Sequence, residues 1–206
     1  MKITAIHAGK SQGKRLNIFL DGKFAFSLET GVALREGLQV DQGLSASKIE
    51  TLTKSDYFYR CFNAALLYLG YRPRSEYEIR MRLQRRGFDD NTVEAVIAKL
   101  KEQGLVDDMA FAQFWKDNRQ SFSPRSRWLT RSELKQKGVA NGIIDQVIDA
   151  VDDADSAYRA AVSKSRVLPV SDYQGFRHRL GDYLKRRGFG YQVINQTIER
   201  IWEEQV

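Results

Sequence analysis

Hydrophobic positions fall in the same order three times along this chain, at nearly equal spacing. Gly87, Gly138 and Gly188 lie 51 and 50 residues apart, and Leu83, Leu134 and Leu184 each precede their glycine by four positions. Beyond the glycines, Val93, Ile144 and Ile194 come sixth, Ile97, Ile148 and Ile198 tenth, and Leu100, Val151 and Ile201 thirteenth. Steps of four and three place each trio on one face of a helix. A period of this length predicts an internal repeat.

The glycine predicts where one helix stops, because it tolerates the left-handed backbone of a helix end. Phe88, Val139 and Phe189, one position further on, are placed to fold back against the helix just completed. Upstream starts are legible too: SEYE at 75–78 and SDYQ at 171–174 have the form of reciprocal caps, and SPRS at 123–126 offers Ser123 as cap with Pro124 in the first helical position. Another helix precedes each of these, starting near Asp56, Asp107 and Asp152. The expected fold is mainly α, with tandem three-helix-bundle repeats forming an elongated curved array. The expected spans are 55–103, 104–151 and 152–206, each with too little core to stand well alone.

Residues 1–54 read differently and predict a small N-terminal β-hairpin or three-stranded module. In KRLNIFLDGKFAFSL, 14–28, Leu16, Ile18 and Leu20 alternate on one arm and Phe24, Phe26 and Leu28 on the other, around an Asp21-Gly22 turn. Ile3 to His7 is a candidate third strand, and Ser47 of SKIE is expected to cap a short helix ending near Thr53. GKS at 9–11 lacks the glycine that a phosphate loop requires five residues earlier, where Thr4 stands, so it is expected to be a basic turn.

Aromatic residues at helical spacing predict core rather than base stacking: Phe58 and Phe62 with Leu66 and Leu69, then Phe111, Phe114 and Trp115, then Phe176 with Leu180 and Leu184. Tyr71, Trp128 and Tyr191 fall outside these stripes and are candidates for exposed contacts.

Charge changes the picture from scaffold to surface. The chain has 33 Lys and Arg against 26 Asp and Glu, a formal +7 and a pI near 9.5, which favours a polyanionic partner. The excess is concentrated in 72–87 (net +4), 116–137 (net +5) and 177–187 (net +4), whereas 139–155 holds five aspartates and no cation. Stacked repeats would then carry a basic ridge of middle helices beside an acidic flank. The candidate contacts are Arg72, Arg74, Arg82, Arg85 and Arg86 in the first repeat, Arg125, Arg127, Arg131, Lys135 and Lys137 in the second, and Arg177, Lys185, Arg186 and Arg187 in the third. Arginine forks suit phosphates and protein carboxylates alike, so charge alone leaves nucleic acid and protein both open.

NAALLYLGYRPRSEYEIRMRLQRRGF at 63–88, continuing through EAVIAKLKEQGLVDDMAFAQFW at 94–115, resembles the RecX family of recombinase regulators. The resemblance extends over the repeats at 56–204, and the opening hairpin is similar to an amino-terminal extension of some members. It implies a protein that lies along the groove of a RecA filament on DNA, spans neighbouring subunits, and suppresses ATPase and strand exchange; some members also contact DNA directly. The family phrase covers Arg72, Arg74, Ser75, Glu76, Leu83, Arg86, Gly87 and Phe88, with leucine, glycine and phenylalanine architectural and the arginines candidate contacts. PRS recurs at 124–126 and RRGF at 186–189, but the second repeat has KGV and the third lacks PRS, which argues against three equivalent binding sites.

The remaining chemistry points away from an enzyme. Cys61 is the only cysteine and sits in the apolar run FYRCFNAALLYL, which predicts a buried side chain and no disulfide. His7 and His178 have no local partners that would make a metal or nucleophile site, and no cofactor is expected. Asp89-Asp90, Asp107-Asp108 and Asp152-Asp153 could serve metal-dependent nucleic acid cleavage, but their places near helix starts predict capping. The expected partners are RecA and the RecA-coated filament, with naked single- or double-stranded DNA as the alternative target of a helical protein acting on recombination indirectly. A purely structural adaptor using the acidic flank is a third reading. No signal segment or membrane span is expected, and the chain is expected to be a cytoplasmic monomer.

Overall fold

A computed structural model describes residues 1–9, 14–169 and 172–205. It contains three strands, β1 (Ile3–Ala8), β2 (Arg15–Leu20) and β3 (Lys23–Glu29), followed by α1 (Thr30–Arg35), α2 (Ala46–Leu69), α3 (Glu76–Gln84), α4 (Asp90–Glu102), α5 (Asp108–Phe122), α6 (Arg127–Gln136), α7 (Asn141–Ile148), α8 (Asp153–Ser165), α9 (Tyr173–Arg186) and α10 (Tyr191–Gln205). The chain divides into two compact units, Met1–Arg72 with Ile79–Gln103, and Pro73–Glu78 with Gly104–Val206. No helix of the described residues is long and apolar enough to cross a membrane.

The sheet is antiparallel in the order β1-β2-β3, with the predicted turn at Asp21 and Gly22, whose φ angles are +48° and +81°. Ile3, Ile18, Leu20 and Leu28 are buried against Leu44 and Leu52, so the amino-terminal half of α2 covers the apolar face. Phe24 departs from the expected alternation. Ile18 pairs with Phe26 but Phe19 with Phe24, a bulge that skips Ala25 and turns Phe24 out to meet the Phe19 ring at 5.9 Å.

The expected short helix ending near Thr53, and the expected new start near Asp56, are a single helix of 24 residues capped by Ser45 rather than Ser47. Ser45 Oγ accepts the Lys48 N–H at 3.1 Å. Asp56 lies in mid-helix, buried, where its carboxylate accepts the Glu29 N–H at 2.6 Å and the Arg15 guanidinium at 3.0 Å. It fastens the sheet to α2 instead of starting a helix. The buried line of α2 continues through Cys61, Ala64 and Ala65, while Phe58 and Phe62 are half-buried and stacked on each other.

Each repeat then comprises three helices: α2–α4, α5–α7 and α8–α10. All nine positions of the apolar trios are buried, as are Leu83, Leu134 and Leu184. The three stops share one geometry. Gly87, Gly138 and Gly188 have φ between +75° and +83°. Their N–H groups bond the carbonyls of Gln84, Lys135 and Lys185, and the next residues, Phe88, Val139 and Phe189, bond those of Leu83, Leu134 and Leu184. This double closure is the Schellman arrangement. Val139 and Phe189 are buried, whereas Phe88 is half-buried and packs on Tyr57 at 5.5 Å.

Asp89, Asp107 and Asp152 cap α4, α5 and α8, as their positions predict. The expected Ser123 cap is displaced to Ser126, because Pro124 lies in the linker and helical bonding begins only at Arg127. Ser171 lies outside the described residues; Asp172 caps α9 by accepting the Gln174 and Gly175 N–H groups. The GKS phrase also extends beyond the described residues after Gly9.

Cys61 is fully buried, and burial, assisted by the charge of Asp89, pushes its thiol up to about 11. At pH 8 the native protein should therefore react with a thiol reagent only as fast as the helix opens, and the urea-unfolded chain at the rate of a free thiol. Rapid stoichiometric labelling of the native protein, followed by absorbance, would contradict this placement.

Candidate functional site

Within the second unit, the phrase PRS and the repeat glycine turn out to be two halves of one joint. Ser75 Oγ donates to the carbonyl of Lys137 at 2.6 Å while accepting the Glu78 N–H at 3.1 Å. In the next joint the Ser126 N–H donates to the carbonyl of Arg187 at 3.1 Å, and Ser126 Oγ accepts the Leu129 N–H. Lys137 and Arg187 are the residues just ahead of Gly138 and Gly188. The start of a middle helix is thus seated on the glycine turn of the following repeat.

A second pair of contacts locks the same joint. Asp108 Oδ1 accepts the N–H of Glu76 at 2.8 Å, and Asp153 Oδ1 accepts that of Arg127 at 2.7 Å. In each doublet the first aspartate caps its own helix and the second caps the middle helix of the preceding repeat. Carboxylates at these amino termini satisfy free N–H groups and oppose the positive end of the helix dipole. Sequence reasoning found the capping but not the sharing. The doublets at 107–108 and 152–153 were the available signal, each following a PRS phrase.

The joint sorts the candidate cations. Lys137 Nζ pairs with Glu78 at 2.9 Å, and Arg187 Nη1 donates to Ser123 Oγ at 3.0 Å and to the Pro124 carbonyl at 2.9 Å. Arg125 is bound to Glu133, which also accepts Arg119 Nε at 2.8 Å and Trp115 Nε1 at 2.7 Å. Burial, and then the guanidiniums of Arg119 and Arg187, draw Arg125 below its ordinary range. Arg127 pairs with Asp149 at 3.0 Å and Arg131 with Asp145 at 2.5 Å.

These pairs revise the proposed separation of charge. In the second repeat the basic middle helix and the acidic third helix neutralise one another, and Asp152, Asp153 and Asp155 are engaged by a cap, a joint and Arg159 respectively. The segment 116–137 is also two elements, since Lys116 and Arg119 belong to α5. Among the other candidates, Arg72 and Arg74 are half-buried in the linker ahead of α3. Arg82 lies 5.5 Å from the Tyr68 ring, and Arg177 reaches Asn195 at 3.5 Å.

Five candidates remain exposed with no ion pair, ring contact or side-chain hydrogen bond among the described residues: Arg85, Arg86, Lys135, Lys185 and Arg186. All five lie in the last turn of a middle helix or just past it, within three residues of a repeat glycine. Position favours cations there even without a ligand, because the carbonyl end of a helix is negative. Lys137 and Arg187, by contrast, are held by Glu78 and by Ser123 and Pro124 of the preceding repeat. The geometry is suited to holding anionic groups.

Comparison with known proteins agrees with this architecture. Residues 1–45 match the regulatory protein RecX N-terminal domain, 61–100 the RecX first three-helix domain and 107–148 the RecX second three-helix domain. Regulatory protein RecX of Clostridium perfringens strain 13 is 29% identical over 205 residues, covering 97% of this chain and 96% of its own. That of Prosthecochloris aestuarii is 36% identical over 142 residues, covering 69% and 93%. A crystal structure of regulatory protein RecX superposes with a TM-score of 0.68 at 26% identity, covering 96% of this chain and 98% of that one. The fold of RecX from Lactobacillus salivarius gives 0.59 over 71% of this chain and 97% of its own. With three family domains matched in order and relatives aligned along nearly the whole length, the chain belongs to the RecX family and is a regulator of recombination rather than an enzyme.

Proposed function

We propose that this protein binds the RecA filament on DNA in the cytoplasm, lies in its groove across adjacent subunits, and lowers ATPase and strand exchange by occupying space. The repeats at 55–103, 104–151 and 152–206 would act as linked contact modules, with residues 1–54 as an attached fourth. Family membership carries the reading. It is supported by the recurrence of unpaired cations at the end of each middle helix, because a repeating target rewards repeating contacts. Linked weak contacts gain from effective concentration, so no single one has to be strong.

The contact residues follow from the sorting above. Arg85, Arg86, Lys135, Lys185 and Arg186 would meet the filament, while Arg125, Lys137 and Arg187 hold the scaffold. Arg85→Glu combined with Arg86→Glu should weaken co-sedimentation with ATP-supported filaments by about ten-fold at low salt, with the gap closing as salt rises, and should leave the melting temperature unchanged. Equal binding by wild type and variant at low salt would remove these two residues from the interface.

Filament ATPase and co-sedimentation, measured beside binding to naked DNA, test the whole reading. Wild-type protein should bind the coated strand more tightly than bare DNA and slow ATP turnover. Binding to bare DNA with no preference for the filament, and with steep salt dependence, would instead establish a general DNA-binding protein.

A further inference from the structure

The chain has three prolines, 73, 124 and 169, one in the linker before each middle helix, and two residues ahead of each stands a large apolar side chain turned to solvent. Tyr71 is 85% exposed, Phe122 83% and Val167 71%, among the most exposed large apolar residues described. A single exposed apolar residue is ordinary on a protein surface. Three in succession, each two residues ahead of a linker proline, are not, particularly where an inward site lies next to one: Leu168, adjacent to Val167, packs on the core of the third repeat.

The linkers hold these side chains ready. Proline fixes its own φ and restricts the residue before it, so the chain between first and middle helix has few conformations to lose. The first two linkers are also pinned downstream by Ser75 on the Lys137 carbonyl and Ser126 on that of Arg187. A side chain held out on a rigid linker loses little entropy when it docks.

We propose that Tyr71, Phe122 and Val167 are apolar anchors, each seating in an equivalent recess on successive identical subunits of a protein polymer. The inference rests on the filament reading above and adds the chemistry of the grip. Repetition indicates a partner that repeats, and Val167 indicates a protein recess rather than nucleic acid, because valine offers no ring face on which a base could stack. The anchors would supply salt-insensitive affinity, whereas the cations at the ends of the middle helices would supply the salt-sensitive part.

Serine replacements at the three positions, singly and together, test this by co-sedimentation with RecA-coated single strands at low and high salt, with naked strands as control. Each site should lower filament affinity by about ten-fold, the loss persisting at high salt, with naked-strand binding and melting temperature unchanged. A triple variant that binds filaments like wild type would overturn the anchors while leaving the filament reading intact. Equal losses on naked strands would overturn them in favour of nucleic acid contact. Wild-type self-association that the triple variant abolishes, with filament binding unaltered, would overturn them in favour of a second copy as occupant. Wild-type protein that fails to sediment with filaments at either salt would overturn the filament reading itself, and the anchors with it.

Discussion

Gly188→Ala should destabilise the protein far more than Gly87→Ala, although the two glycines have the same φ of +83° and the same place in their repeats. The shared part of the effect is the left-handed backbone, about 1–2 kcal/mol for a residue with a Cβ. The difference comes from the neighbours. At Gly87 a Cβ would meet nothing within 4 Å, but at Gly188 it would stand 2.6 Å from Ser126 Oγ and 2.8 Å from Leu129 Cβ. Leu129 Cβ is attached directly to the α6 backbone, so relief requires the helix start to move off the turn. That movement would disturb the Ser126 N–H bond to the Arg187 carbonyl and the two Arg187 contacts around it. Overpacking of this kind adds about 1–3 kcal/mol. Gly138→Ala should behave like Gly188→Ala, since its Cβ would meet those of Tyr77. Urea unfolding followed by circular dichroism measures the three variants side by side. Similar midpoints for all three would mean that the glycines serve only as helix stops and that the joint does not depend on close approach.

That contrast also marks where the sequence could be read and where it could not. The glycine, the leucine four before it and the apolar trio behind it act inside one repeat, at helical spacing, so periodicity alone located them. The role of PRS was hidden, because Ser75 and Ser126 meet carbonyls about 60 residues away and their partners are backbone atoms that leave no mark on the sequence. In this chain PRS occurs in the first two repeats, and in each the serine docks on the next repeat. The charge reading was limited in the same way. Counting along a helix finds the excess of arginine but not that Asp145 and Asp149 lie across from Arg131 and Arg127. Of the fourteen cations picked from sequence, the five that stay exposed and unpaired are distinguished only by the fold.

Asp56→Ala should remove about 2–4 kcal/mol of stability, a large effect for a residue that resembles an ordinary helix start in sequence. Its carboxylate is 7% exposed and receives both the Glu29 N–H at the end of β3 and the guanidinium of Arg15 on β2. Alanine leaves the N–H without that acceptor and Arg15, whose side chain is 31% exposed, with the Ser27 carbonyl at 2.7 Å. Removing one member of such a group is worse than replacing both, because the orphaned charge keeps its desolvation penalty. Arg15→Met with Asp56→Leu should therefore recover part of the loss, short of full recovery because the Glu29 N–H still lacks its partner. Urea midpoints of the single and double variants, with Asp56→Asn as a variant that keeps an acceptor without the charge, separate these contributions. An Asp56→Ala midpoint within about 0.5 kcal/mol of wild type would show that the sheet is held to α2 by its apolar face alone, through Ile18, Leu28 and Leu52, and that the buried carboxylate adds nothing to that attachment.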